Sequence, residues 1–210
     1  MARYIRNLVL FKLGWVACVM LAAAGRPVMA TLVVAAVVLA HLATVPVKSK
    51  ESMLLVSAAL IGMTWESLLV KFGVVSYSGY TDATALAPHW IVAMWVLFAT
   101  TINHGLRWIK RSWVVASAAG LIGGPLAFFS GAQLGAVEFS NTALALAAIG
   151  VGWAVLLPTL ALVADTIIDS AWLEPRDGLP TDAKPAGAVA AMRANPVLVP
   201  VRAEEVRYGN

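Results

Sequence analysis

The stretch PHWIVAMWVLFATTINHGLRWIKR, residues 88–111, decides how the rest of the chain is read. From Trp90 to Trp108 it is apolar enough and long enough, at about 1.5 Å per residue, to cross a hydrocarbon layer of about 30 Å. It predicts a transmembrane helix. Pro88 and Trp90 mark one end, and Trp108 with Arg107, Lys110 and Arg111 marks the other, so aromatic rings lie at both interfaces and charge lies at one. Clustered basic residues favour the cytoplasmic side. Asn103 and His104 fall inside the span near its charged end, where polar groups are costly unless they have a partner or a function.

Composition extends this reading to the whole chain. With 60% hydrophobic and 12% charged residues, the protein falls in the membrane class. Its 210 residues leave room for about six spans of about 20 residues each. Apolar runs at residues 4–24, 28–45, 52–70, 90–108, 113–137 and 142–168 supply them. The expected fold is therefore all-α, a polytopic membrane domain of six transmembrane helices over residues 1–169. Residues 170–210 mix charge, proline and short apolar patches and read as a cytoplasmic tail with little fixed structure.

The first run also fits a cleaved leader, with its basic start and small residues at Ala22 to Ala24. Lys12 within the run and a second span after only Gly25, Arg26 and Pro27 favour a retained helix. Placing the N-terminus inside puts Arg3, Arg6, Lys48, Lys50, Arg107, Lys110 and Arg111 on the inner side against Arg26 and Lys71 outside. That asymmetry predicts cytoplasmic N- and C-termini and a cytoplasmic (inner) membrane topology. The net charge of +4 is thus a topology signal; no basic face with interleaved aromatics suggests nucleic acid as a partner. The lone Cys18 offers neither a disulfide nor a thiolate metal site.

The fifth run is crowded with small residues. Ala116, Gly120 and Gly124 repeat every four residues, as do Ala127, Gly131 and Gly135, which predicts two faces for close helix packing. Pro125 between them should kink the helix, freeing a carbonyl that needs protein, water or a ligand beside it.

Polar groups inside the spans separate by depth. Counting about 1.5 Å per residue from each span's midpoint, Glu66 lies about 7 Å toward the outside, and His41 and His104 lie about 7 and 8 Å toward the inside. An outer site is expected from Glu66, Trp90, Tyr77 and Tyr80, and an inner layer from His41, Asn103, His104, Arg107 and Asp165, with Lys12 snorkelling to the inner face. Glu66 could accept a proton, pair with a cation or stay neutral in apolar surroundings. The plainer alternative is a buried acid satisfied by its neighbours. Asn103 and His104 read equally as interhelical hydrogen-bonding groups, and His41 as a packed histidine. The histidine set His41, His89 and His104 lacks metal-site spacing, His89 lying at the opposite end. GLIGGP at residues 120–125 is not followed by the Lys-Ser or Lys-Thr of a nucleotide loop. A haem between His41 and His104 has no supporting motif, and no metal or cofactor is expected.

Several phrases together carry a resemblance: NLVLFKLGWVACV, WESLLVKFG, APHWIVAMWVLFATTINHGLRWI, GLIGGPLAFFSGAQLGAV and WAVLLPTLAL. From Asn7 to about Leu162 the chain resembles an uncharacterised family of small bacterial inner-membrane proteins, classed as a domain of unknown function. The phrase joining Trp95, Asn103, His104 and Trp108 is the most specific part. Where this chain has Lys12 the family usually has glutamine, and where it has Glu66 an aspartate is common, which keeps the acid but weakens a role for Lys12. The family's genes often lie beside enzymes resembling cyclopropane-fatty-acid synthases. The resemblance therefore implies a protein accessory to membrane lipid or fatty-acid modification, with membrane lipids and a membrane-protein or lipid-enzyme partner. A small secondary transporter and an integral lipid-modifying enzyme are the alternatives, the first lacking the internal duplication many transporters have, the second lacking nucleophile, acid and base at one depth.

Overall fold

A computed structural model describes residues 2–78 and 86–169, so Tyr80 and the expected tail lie outside the described residues. Six α-helices dominate: α1 (Ala2–Ala23), α2 (Pro27–Thr44), α3 (Lys48–Lys71), α4 (His89–Ala99), α5 (Trp113–Gln133) and α6 (Thr142–Asp169). All except α4 are long and apolar enough to cross a membrane. Their outward faces carry exposed Leu, Val, Ile and Met side chains, as a surface against lipid requires.

The fourth expected span departs from a continuous helix. α4 stops at Ala99 after 11 residues, the chain turns through residues 100–106, and a 3₁₀ turn follows at Arg107–Arg111. The cause is local competition for the backbone. The hydroxyls of Thr100 and Thr101 donate to the carbonyls of Leu97 and Phe98, at 2.7 and 2.6 Å, in place of the helical ladder. Asn7 of α1 takes up the groups set free: its amide donates to the Thr100 carbonyl at 3.0 Å and its carbonyl oxygen accepts from the Gly105 amide at 3.3 Å. Irregular backbone at this depth is tolerable because a neighbouring helix satisfies it.

What α4 lacks in length it makes up in burial. Trp90, Ile91, Met94, Trp95, Leu97 and Ala99 are buried where the helix packs against α1, α2 and α3, with Trp90 and Leu97 essentially inaccessible.

The second departure is a small antiparallel ribbon, absent from the all-helical expectation. β1 (Val75–Tyr77) pairs with β2 (Val137–Phe139), Ser76 opposite Glu138. The helices α3 and α5 each end on a glycine with positive φ, Gly73 at 63° and Gly135 at 81°, and this left-handed turn sends both chains into the ribbon. Gly135 is therefore a turn residue beyond α5, not a packing position on it.

The remaining glycines of the expected ladders divide clearly. A Cβ on Gly120 would strike the Trp153 backbone of α6, and one on Gly124 would lie 2.5 Å from the Trp153 ring. One on Gly131 would meet only Val137, at an ordinary 3.5 Å. The first ladder is thus the α5–α6 contact, with Pro125 of α5 near Gly150 of α6, while the second is not a helix contact. The same notch-and-ring pairing recurs where Gly62 receives Trp95 and Gly152 receives Trp65. It brings large indoles from α3, α4 and α6 together in the middle of the bundle.

Candidate functional site

Two polar clusters sit on α3, centred on Glu51 and Glu66, 15 residues and so about 22 Å apart along the helix. Glu66 is fully buried near the ribbon end. Its carboxylate accepts hydrogen bonds from the Tyr77 hydroxyl and, at 2.8 Å, from the Trp95 indole N–H. The ribbon is what delivers Tyr77, whose ring also packs edge-on against Trp90 at 5.4 Å between centroids. Burial, reinforced by the adjacent Glu66, pushes the Tyr77 phenol well above its ordinary range and keeps it a donor. Trp90 thus belongs to the site through Tyr77, whereas the second donor to Glu66 is Trp95, which the sequence did not single out for this role.

Glu66 also borders a cavity of about 640 Å³. Its wall is aromatic, with Phe11, Trp15, Trp90, Phe98, Phe128 and Trp153 among the lining residues. Trp95 stacks on Trp153 at 4.8 Å between ring centroids, which makes this wall stiff. Lys12 lies on the same cavity, its ammonium 5.8 Å from the Trp15 ring and 5.9 Å from Phe11. It is therefore placed against aromatic faces in the cation–π range. The indole N–H groups of Trp90 and Trp153 are buried and have no hydrogen-bond partner among the described residues. A buried donor without an acceptor costs about 1–3 kcal/mol, a cost that the packing of these two indoles carries.

The second cluster forms at the other end of α3. His41 of α2 faces Glu51, Nε2 to Oε1 at 2.7 Å. His104, in the turn after α4, places its Nε2 3.4 Å from the same oxygen. Asn103 donates to Glu51 Oε2 at 3.4 Å and accepts from Lys110, which pairs with Asp165 at 2.5 Å. Of the expected inner layer, His41, Asn103, His104 and Asp165 are joined in this chain of contacts. Arg107 is not; its guanidinium reaches the Tyr4 hydroxyl. The two histidine rings touch edge to face at 4.9 Å between centroids, which leaves no slot between them for a haem.

A family model described as "Protein of unknown function (DUF2878)" matches residues 4–159. The chain belongs to this family. The DUF2878 match takes in Glu66, Tyr77 and Trp95 and also His41, Glu51, Asn103 and His104, whereas Asp165 lies beyond it. Comparison with curated proteins and with solved structures returned no match.

Glu51 is a residue that sequence reasoning missed in this DUF2878 chain. It sits in the first turn of α3 beside Lys48 and Lys50, where an acid reads as ordinary helix-end charge. The available signal was the short connection between α2 and α3, which folds the start of α3 back onto the end of α2 and so onto His41. Asn7 was missed for a different reason, since its role depends on a helix break that residues 100–106 do not announce.

Proposed function

We propose that this chain is a six-segment protein of the bacterial cytoplasmic membrane that holds an acyl-chain amphiphile and serves membrane lipid or fatty-acid modification. The observation carrying this reading is the aromatic cavity, whose volume of about 640 Å³ falls within the roughly 300–1,000 Å³ of small-molecule sites. Apolar walls suit a hydrocarbon tail. Lys12, on the cavity wall, suits an anionic headgroup. Glu66, held by Tyr77 and Trp95, is a carboxyl able to hold or pass a proton at the cavity wall. The link to lipid modification rests on the family resemblance. The test is the lipid profile of cells with and without the gene. A changed acyl composition supports the reading, and an unchanged profile alongside altered uptake of a solute favours a small secondary transporter.

In this reading α4 and the turns to Arg111 together make the fourth crossing, with both termini and the segments around Lys48 and Arg111 cytoplasmic. The basic residues of that end support the orientation. A cysteine introduced at Ser78 should react with an impermeant maleimide in intact cells, and one at Ser49 only after permeabilisation. Native Cys18 is buried and should contribute little background. The reverse labelling pattern would invert the orientation.

A further inference from the structure

The His41, Glu51 and His104 cluster is set apart by how its atoms converge. Three segments, the last turn of α2, the first turn of α3 that follows it closely and the more distant turn after α4, bring one ligand atom each to within 4.8 Å of one another. Both imidazoles aim Nε2 at the same carboxylate oxygen, at 2.7 and 3.4 Å. The 2.7 Å pair is a hydrogen bond. The other is not: His104 Nε2 is buried and has no hydrogen-bond partner among the described residues. Ligands on a tetrahedral zinc ion, with bonds of about 2.0–2.1 Å, stand about 3.3 Å apart, close to the separation between His104 and Glu51.

We propose that His41, Glu51 and His104 form a binding site for a divalent first-row transition ion. Two imidazoles and one carboxylate are a ligand set that zinc and ferrous iron both accept, with positions left open for water or a further ligand. The surroundings supply the second layer such sites need. Asn103 donates to the other Glu51 oxygen and is itself held by Lys110. The nearby cations are neutralised or turned away, Lys110 by Asp165 at 2.5 Å and Lys50 by donation to the Ile168 carbonyl. The helix break after Ala99 also acquires a reason, since a regular helix through residues 100–106 would not hold His104 in this turn. The proposal is independent of the lipid reading, because the cluster is about 22 Å along α3 from Glu66.

The experiment uses the full-length chain without a histidine tag, purified in detergent, loaded with Zn²⁺ or Co²⁺ and passed through gel filtration. The wild type should retain about one ion per chain, and Co²⁺ should show the visible absorption of a low-coordinate nitrogen and oxygen site. His104→Ala and Glu51→Gln should each weaken Zn²⁺ binding by at least about 100-fold, beyond the 10- to 100-fold expected for the outer-layer change Asn103→Ala. His89→Ala, which touches Thr31 elsewhere in the bundle, should bind as the wild type does. If a variant fails to fold, the wild-type measurement still decides. A folded wild type that retains no Zn²⁺ and gives no Co²⁺ spectrum, or a His104→Ala protein with undiminished affinity, overturns the site and leaves an ion-pair staple between helices.

Discussion

Gly124→Leu will abolish most of the folded protein, while Gly123→Leu, one residue earlier, leaves it intact. The contrast follows from what each new side chain meets. At Gly124 even a Cβ lies 2.5 Å from the Trp153 ring. That ring cannot withdraw, because Trp95 stacks on one side at 4.8 Å and Phe98 packs edge-on at 5.3 Å. Overpacking of this kind costs about 1–3 kcal/mol and sometimes more, and here the obstacle is a stacked indole rather than a movable tail. At Gly123 nothing lies within 4 Å of the added carbon. Folded yield by size-exclusion chromatography and melting temperature in detergent check both. Equal yields for the two variants would remove the α5–α6 contact from the account.

Replacement of Glu66 should divide structure from function. Glu66→Leu leaves the Tyr77 hydroxyl and the Trp95 N–H buried without their acceptor. Each orphaned donor costs about 1–3 kcal/mol, so the pair together should cost about 2–6 kcal/mol. At about 2–4 °C per kcal/mol the melting temperature should fall by about 10 °C. Glu66→Gln is milder. Its amide oxygen still accepts from Trp95, and its NH₂ can donate to a Tyr77 hydroxyl that turns from donor to acceptor. That variant should fold with a nearly unchanged melting temperature yet lose the lipid phenotype, because the titratable proton is gone. Wild-type phenotype and stability in both variants would remove Glu66 from any site.

The division between what the sequence made legible and what it hid follows the range of the interactions. The membrane class and the long helices were readable because each rests on a local run of apolar residues. The Ala116, Gly120 and Gly124 ladder was readable because its period is that of one helix. Gly135 misled for the same reason, since its four-residue spacing from Gly131 imitates a helix face, while its φ of 81° places it in a turn. The break in α4 was hidden because Thr100 and Thr101 are compatible with a helix until Asn7, 93 residues away from Thr100, satisfies the alternative. The pairing of Glu66 with Tyr77 was foreseeable from depth, but the choice of Trp95 over Trp90 depends on how the Gly62 notch seats the ring. Glu51 escaped because its partners come from two other segments, the end of α2 and the turn after α4.

The central claim is that the aromatic cavity holds an amphiphile, and Gly123→Phe tests it most directly. Gly123 lines the cavity and nothing lies within 4 Å of a carbon added there, so a phenyl ring at this position has room to enter the cavity and compete with a ligand. Native mass spectrometry of the full chain released from detergent micelles reads the outcome. The account predicts that the wild type carries a bound lipid or fatty acid and that Gly123→Phe, folded and with an unchanged melting temperature, carries none. A wild type that emerges bare, or a folded Gly123→Phe protein that retains the same ligand, would contradict it.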